Sequence, residues 1–264
     1  MRRWHLVELE DLQSFPTAIR DGITDFLEFA VVASDLYKPV VPRLENTLND
    51  LKIRKIVDLC SGGGGPWKSL ERHLPAIKTG QIRVCLTDLY PNVTALNRLK
   101  QDTQGRVDFI TTPVSAMDVP QDLEGFRTLF SAFHHFRPEQ ARAILADAVD
   151  KRQGIAIFES TQRHPLLLLY MLLTPILVLL ATPFIRPFKW QRLFWTYIIP
   201  AIPLAVMFDG IVSCLRTYTV TELSELTQGL DDDGYRWQIG VARLGVLPVG
   251  VTYLIGHPQA SDTD

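Results

Sequence analysis

Short apolar runs alternate with amphipathic segments through most of this chain. β-Branched and aromatic residues predict five strands in the first part, at positions 56–59, 83–88, 107–111, 128–133 and 154–159. Apolar residues at helical spacing predict helices over 92–101 and 140–149. After a capping-box pattern at Thr219, two alternating segments predict paired strands at 235–244 and 249–255. Strands alternating with helices favour an α/β domain.

The region before the first strand has a helical pattern. Its apolar residues fall on two stripes, Phe26, Phe29, Ala30, Ala33 and Tyr37 in the first and Leu44, Leu48 and Leu51 in the second. Pro39 and Pro42 separate the stripes. We therefore expect an N-terminal helical cap over residues 1–52.

A hydrophobic helical insertion is predicted over 164–216, after the fifth strand. Residues 166–185 contain no charged side chain and residues 193–215 contain only Asp209, so each stretch is long enough to span a membrane. Recurrent prolines and Asp209 argue against a simple two-pass hairpin. In a two-pass hairpin with a cytoplasmic catalytic domain, the connection over 186–192 would lie outside the cell. Its cations would then contradict the positive-inside tendency.

We expect peripheral or monotopic membrane contact through residues 166–215. Trp190, Trp195 and Tyr197 lie near the cations of the connection, which is typical of an interfacial anchor. A true two-pass topology and a lid packed on the catalytic domain are the alternatives.

Composition limits the partners and the compartment. The 264 residues are 47% hydrophobic, which is high for a soluble enzyme and agrees with an apolar insertion. A net charge of −2 gives no attraction to nucleic acid, so we expect no nucleic-acid partner. The three cysteines form no C-x-x-C pair, which predicts a reduced chain without a metal. Acidic residues interrupt the N-terminus, so a secretory signal is not expected. We expect a cytoplasmic protein at the cytoplasmic face of a membrane.

A glycine-rich turn follows the first predicted strand. Asp58 ends this strand and residues 61–65 read Ser-Gly-Gly-Gly-Gly, which lets a nucleotide-like ligand approach bare amides. Lys68 is not placed for a nucleoside-triphosphate P-loop. Pro66 and Trp67 fit poorly with the G-x-G-x-x-G dinucleotide loop. A surface turn is the alternative, but such a turn rarely follows a buried strand.

A second carboxylate follows the second predicted strand. Asp88 lies about thirty residues after Asp58, the length of one strand–helix–strand unit. At that position a carboxylate can accept both hydroxyls of a ribose. Helix capping by Asp88 is the alternative, but the glycine turn favours a nucleoside.

The pattern Asp58-x-x-x-Gly62-x-Gly64 resembles motif I of the class I S-adenosylmethionine-dependent methyltransferases, with Cys60 in place of the first glycine. The resemblance spans about 56–159 and 219–257. It implies a Rossmann-like three-layer sandwich whose mostly parallel sheet has seven strands, the last of them antiparallel. It also implies S-adenosyl-L-methionine as cofactor. The methyltransferase domain would cover 53–264, interrupted by the insertion.

The resemblance assigns cofactor contacts along the ends of the first four strands. The methionine part would lie at Asp58, Cys60, Ser61, Gly62 and Gly64, the ribose at Asp88 and Leu89, and the adenine at Ser115, Ala116 and Met117. Asp118 is an alternative to Ser115 for the adenine amine. Ser131, in the fourth predicted strand, would also lie near the cofactor.

The resemblance places the acceptor beside the turn after the fourth strand. His134 or His135 would align the acceptor or take its proton. Glu159, at the end of the fifth strand, would bind the acceptor, orient His134 or pair with Arg163. Further pocket residues would come from the cap, namely Arg20, Asp21, Asp25 and Tyr37.

The sequence thus predicts a methyltransferase for a small, hydrophobic or membrane-resident acceptor. The alternative is a non-catalytic, membrane-attached protein that binds S-adenosylmethionine or a nucleoside, because fold alone does not determine activity.

Overall fold

A seven-stranded sheet forms the centre of the computed structural model, which describes residues 1–230 and 234–259. The strands are β1 (Lys55–Asp58), β2 (Arg83–Leu86), β3 (Val107–Phe109), β4 (Phe126–Phe130), β5 (Ile155–Glu159), β6 (Tyr235–Arg243) and β7 (Gly250–Pro258). Their order in the sheet is β3-β2-β1-β4-β5-β7-β6. The first five strands are parallel, and β7 runs antiparallel to both neighbours. The predicted mostly parallel seven-stranded sheet is confirmed.

Helices cover both faces of the sheet. They include α3 (Trp67–His73), α4 (Pro75–Lys78), α5 (Val93–Asp102), α6 (Pro138–Asp150) and, near the end of the chain, α10 (Val220–Thr227). Successive strand residues point to opposite faces, so Ile56 joins a core with Trp67, whereas Val57 joins a second core with Ile144. Two buried cores on either side of one sheet make the predicted three-layer sandwich.

The N-terminal cap consists of α1 (Thr17–Ser34) and α2 (Val41–Asp50), preceded by a 3-10 turn at Leu9–Asp11. Leu44 and Leu48 of α2 join the core on the α3 face of the sheet. The buried stripe of α1 instead contacts the insertion, through Ile23 and Phe26. The boundaries of the predicted domains stay predictions, and residues 231–233 and 260–264 of the 53–264 domain lie outside the described residues.

The insertion after β5 is helical, as predicted. It contains α7 (Pro165–Ala181), α8 (Trp190–Leu193), which continues as a π-helical turn at Phe194–Ile198, and α9 (Ala201–Arg216). Asp25 of α1 joins two of its cations, Lys189 at 2.8 Å and Arg192 at 2.5 Å. Gly22 lies so close to Ile202 of α9 that an added Cβ would stand 2.3 Å from the isoleucine Cδ1. The insertion therefore packs directly on the cap.

One helix, Pro165–Phe184, is long and apolar enough to cross a membrane by length and composition, and only 17% of its most apolar window is buried. The pair Trp190–Ile198 and Ala201–Arg216 passes the same test only if it is taken as one span bent by 78°. Asp209, the one acid in this pair, accepts hydrogen bonds from the amides of Leu9 and Glu10, at 2.7 and 3.3 Å. Its charge is therefore directed into the protein.

Candidate functional site

The glycine turn lies at the carboxyl edge of the parallel strands. It turns sharply at Ser61, whose carbonyl accepts the Gly64 amide at 2.7 Å. Gly64 has φ +81°, and a Cβ there would stand 2.4 Å from Leu99 Cδ2, so this glycine is needed for packing. Gly62 has φ +53° and a Cβ there would meet nothing within 4 Å. Open space therefore lies beside the tip of the turn, where the prediction puts the cofactor.

Asp58, at the end of β1, stabilises the conformation of the glycine turn. Its carboxylate is 2% exposed and accepts hydrogen bonds from Thr128 Oγ1 at 2.6 Å and Ser61 Oγ at 2.7 Å. Burial raises the pKa of Asp58 to about 6, in spite of these hydrogen bonds. Its neighbour Cys60 takes a positive φ of 56°, and burial raises the pKa of its thiol. Asp58 therefore stabilises the turn through its contact with Ser61 and anchors it to β4 through Thr128.

Asp88 joins the turn to the region predicted for adenine. Its Oδ2 accepts the Gly62 amide and its Oδ1 accepts the Tyr90 amide, both at 2.8 Å. Its carbonyl accepts the Val114 amide at 2.9 Å, which brings the segment after β3 to the same edge. The structure thus brings the carboxylate, the glycine turn and the segment after β3 together.

The adenine-side residues form a short turn beside Asp88. Ser115 Oγ accepts the Met117 amide at 3.3 Å, and Met117 is exposed whereas Ala116 is buried. Asp118 is exposed and pairs with Lys151 at 3.3 Å. Leu89 is also exposed. The exposed apolar side chains of Leu89 and Met117 therefore lie on segments joined by the Asp88–Val114 hydrogen bond.

Tyr37 of the cap reaches the end of β4. Its hydroxyl lies 2.7 Å from Ser131 Oγ, which lies 2.7 Å from Ser160 Oγ. Burial raises the pKa of Tyr37, so its hydroxyl keeps its proton. Ser131 has φ +44° and lies just beyond β4, so the prediction that the strand continues to 133 is wrong. The backbone leaves the sheet here and forms a 3-10 turn at Phe133–His135.

The other cap residues are divided between several contacts. Arg20 donates to the Leu12 carbonyl at 2.6 Å, and Asp21 is exposed. Asp25 faces the insertion, as described above. Thr24, between them, covers the glycine turn, since a Cβ at Gly63 would lie 3.3 Å from its Cγ2. α1 therefore packs over the turn, although Arg20 and Asp25 are held by other partners.

Two of the three predicted catalytic residues, His134 and Glu159, form a buried pair. His134 Nδ1 lies 2.6 Å from Glu159 Oε2, and Glu159 Oε1 accepts the Phe133 amide at 2.7 Å. Of the three alternatives for Glu159, orientation of His134 is the one the contacts match, because Arg163 pairs with Glu222 instead. Burial opposes a charge on His134, but the carboxylates of Glu159 and Glu8 outweigh it and raise its pKa to about 9.

Sequence reasoning missed the residues that cover these histidines. Glu8 is buried, with its carboxylate oxygens 3.6 Å from His134 Nε2 and 3.6 Å from His135 Nε2. Asp11 lies 3.1 Å from His135 Nδ1 and 2.6 Å from Arg216 Nη1. The acidic run at the N-terminus was visible in the sequence, but nothing local connects it with a histidine pair far along the chain.

The residues at the carboxyl edge suit a cationic nucleoside. Asp58 and Asp88 supply negative charge, the glycine turn supplies open space at Gly62, and Leu89 and Met117 supply exposed apolar side chains. This donor set fits S-adenosylmethionine, which needs a ribose acceptor and a partner for its sulfonium charge. The two histidines and Glu8 could also hold a metal ion, since one ligand atom from each of the three residues lies within 4.8 Å of the others.

No family model matches this sequence, and no curated protein matches it by sequence. Among solved structures the chain is similar to the methyltransferase domain of bacterial CtHen1-CN, with 12% identity and a TM-score of 0.50, over 83% of this chain and 98% of that domain. It is also similar to an O-methyltransferase family protein from Burkholderia thailandensis, with 16% identity, a TM-score of 0.49 and 89% of this chain covered. This chain spans 59% of the length of that protein. Together with the strand order, the similarity to the CtHen1-CN domain confirms the predicted Rossmann-like fold, and at 12% identity it concerns the fold alone.

Proposed function

We propose that this protein transfers a methyl group from S-adenosylmethionine to a small, apolar acceptor at the cytoplasmic face of a membrane. The observation that carries the proposal is the contact between Gly62 and Asp88, which puts a carboxylate beside open space at the tip of the turn. A ribose-binding acid beside a glycine turn is how related α/β folds hold a nucleoside.

The cofactor would be held by three segments of the carboxyl edge. Residues 58–64 would bind its methionine part, Asp88 and Leu89 its ribose, and residues 115–117 its adenine. When bound, S-adenosylmethionine supplies an electrophilic methyl group on a positively charged sulfur. The negative charge of Asp58 and Asp88 favours that cation over its neutral product.

The acceptor would lie near the turn after β4, beside Ser131 and Tyr37. His134 and His135, with Glu159 behind them, would align the acceptor or take its proton. The side chain of His135 is 35% exposed whereas that of His134 is 3% exposed, so His135 is the imidazole that an acceptor reaches first. Arg20 of the cap would contribute to binding of the acceptor.

Membrane contact is supported by the outer face of the insertion. Successive turns of α7 expose large apolar side chains, Leu169, Leu172, Leu173, Ile176 and Leu180. Phe184, Phe188 and Trp190 are exposed beyond its end, next to exposed Arg186. An apolar face bordered by aromatic and cationic residues is typical of helices that lie in the membrane interface. The inner face of the insertion packs on α1 of the cap, so only the outer face is available to a membrane.

One observation favours the non-catalytic alternative. His134 Nε2 is turned toward Glu8 rather than toward open space, and the side chains of both residues are almost fully buried. If the acceptor cannot reach this edge, the protein would bind S-adenosylmethionine or a nucleoside without transferring a methyl group.

Methyl-labelled S-adenosylmethionine tests the proposal directly. The purified full-length chain is incubated with the labelled cofactor and either a membrane lipid extract or a water-soluble metabolite extract, and label is counted in the organic and aqueous phases. We expect enzyme-dependent label in the organic phase that Asp88→Ala abolishes. Calorimetric binding of the cofactor without transfer to either extract would support the binding protein. Absence of binding would refute both functions.

A further inference from the structure

Three side chains from distant parts of the chain converge on one point beside the turn after β4. Glu8 offers a carboxylate, and His134 and His135 each direct Nε2 toward it at 3.6 Å. For a tetrahedral ion with bonds of about 2.0–2.1 Å, neighbouring ligand atoms are about 3.3 Å apart. The two nitrogens approach different oxygens of Glu8, and one ligand atom from each of the three residues lies within 4.8 Å of the others. A contraction of up to about 1.5 Å would therefore bring these atoms to metal-binding distance.

Both imidazoles are oriented for this purpose by a second carboxylate. His134 Nδ1 lies 2.6 Å from Glu159, and His135 Nδ1 lies 3.1 Å from Asp11. When Nδ1–H donates to a carboxylate, the lone pair of a neutral ring remains on Nε2 and the ring becomes a better ligand. A carboxylate is one of the usual partners of the second nitrogen in a histidine that binds a metal.

An unpartnered atom points into the same space. His134 Nε2 is buried and has no hydrogen-bond partner among the residues that the structure describes. His134 is 3% exposed and Glu8 is 4% exposed, so neither side chain can rely on water. A buried polar atom without a partner is costly, and a bound cation would satisfy it.

The charge of the cluster also favours a cation. Glu8, Asp11 and Glu159 are three acids, and Arg216 is the guanidinium that contacts two of them, Asp11 at 2.6 Å and Glu8 at 3.4 Å. The acids outnumber the guanidinium, and a divalent ion bound in place of a proton on the imidazoles would offset the remaining negative charge.

We propose that Glu8, His134 and His135 bind a divalent transition-metal ion of the zinc type. Two imidazoles and one carboxylate suit zinc or cobalt, whereas magnesium and calcium prefer oxygen ligands alone. The exposure of His135 leaves a fourth position open to water or to an oxygen of the acceptor. This proposal differs from the sequence analysis, which predicted no metal. That prediction rested on the spacing of the cysteines, and nothing in the sequence indicated that Glu8 lies near the histidines.

Bound metal would fasten the N-terminal segment to the turn after β4. It would also occupy both Nε2 atoms, so that the histidines align an acceptor through the ion instead of taking its proton. The metal site does not depend on methyl transfer, and it can be tested when the acceptor is unknown.

The experiment uses the full-length chain without a histidine tag, stripped with a chelator and titrated with Co²⁺. We expect one equivalent to bind with the intense visible absorption of a tetrahedral site and to be displaced by Zn²⁺. Glu8→Gln and His135→Asn should each weaken binding at least about 100-fold, and Asp11→Asn, which alters the support of His135, about 10-fold. The matched control is Glu10→Gln, the same chemical change two residues from Glu8, which should leave the affinity unchanged.

Two results would overturn the site. One is the weak pink spectrum of hydrated Co²⁺ with the wild-type chain, which would show that the cluster is an ion-pair network only. The other is cobalt binding that Glu8→Gln and His135→Asn do not weaken. Far-UV circular dichroism and affinity for S-adenosylmethionine establish that each variant is folded. Since cofactor binding is measured separately, a failed metal site leaves the proposed methyl transfer standing.

Discussion

The Gly62 amide donates a hydrogen bond of 2.8 Å to the carboxylate of Asp88. This contact links the loop after β1 to the loop after β2, and it orients the acid beside the open space at Gly62. In a nucleoside complex the carboxylate would accept from ribose while it keeps the turn in place.

Asp88→Ala should weaken binding of S-adenosylmethionine about 10- to 100-fold, because a hydrogen bond to a charged group contributes about 1.5–3 kcal/mol. Isothermal titration calorimetry measures the change. Asp150→Ala is the control, because this acid is exposed at the end of α6. Equal affinities for wild type and Asp88→Ala would refute the ribose assignment.

Asp58 should make stability depend on pH. Its folded pKa of about 6 exceeds the ordinary value, since burial disfavours its charge and Asp88 adds repulsion. The folded state therefore binds this proton more tightly, and the resulting stability, present at low pH, is lost as pH rises through about 6. Asp58→Asn mimics the protonated acid. The Tm of this variant relative to wild type should therefore be a few degrees higher near pH 8 than near pH 5, since one pKa unit is about 1.4 kcal/mol.

Thermal unfolding of ligand-free wild type and Asp58→Asn across this pH range tests the prediction. Titration of the other carboxylates affects both proteins equally, so it cancels in the difference between their Tm values. A constant difference between pH 5 and pH 8 would mean that Asp58 titrates normally in the folded state. Asp150→Asn, at an exposed position, should give no pH-dependent difference.

Asp25 should anchor the insertion to the cap. Arg192 is nearly fully buried and donates to Asp25 at 2.5 Å, with its other nitrogen on the Ile185 carbonyl at 2.7 Å. Asp25→Asn would leave this guanidinium charge unpaired, at a cost of about 3 kcal/mol. We expect Tm to fall by about 5–10 °C and protease cleavage near Lys189 to accelerate. Asp21→Asn, at an exposed acid one turn earlier, is the control; an equal fall in Tm there would remove the special role of Asp25.

The local pattern of apolar residues was sufficient to predict most strands of the sheet. Buried strands such as β1 and β5 are short, almost wholly apolar runs followed by a glycine turn or an acid, and this signal depends on neighbouring residues alone. The end of β4 was placed wrongly because Ser131 to Phe133 remain mostly apolar in sequence, whereas the positive φ of Ser131 turns the chain out of the sheet.

Only part of the candidate site could be predicted from the sequence, and the reason is physical. Gly62 and Asp88 belong to one strand–helix–strand unit, so their spacing shows their proximity. Glu8 reaches the same edge through tertiary packing and leaves no spacing in the sequence. The sequence indicated that burying the charge of Asp209 in lipid would be unfavourable. It did not indicate the hydrogen-bond partners of Asp209, which are two amides near the N-terminus.

The exposed face of α7 should bind lipid. Leu172→Glu combined with Ile176→Glu removes two exposed apolar side chains, each contributing about 1.5–3 kcal/mol when buried. Liposome binding should weaken about 100-fold or more, as measured by flotation. The matched control, Val246→Glu with Leu247→Glu, changes two exposed apolar residues between β6 and β7. Unchanged flotation of the α7 variant, or failure of the wild-type chain to float, would contradict membrane contact through this face.

The two glycines of the turn should respond oppositely to substitution. At Gly64 an added Cβ would stand 2.4 Å from Leu99 and the φ of +81° adds strain, so Gly64→Ala should mainly lower Tm. At Gly62 the Cβ would enter open space, so Gly62→Val should cost only about 1–2 kcal/mol of backbone strain. Because that space is where the cofactor would lie, Gly62→Val should still weaken S-adenosylmethionine binding at least about 100-fold in calorimetry. A stable Gly62→Val protein with wild-type affinity would move the cofactor away from the turn.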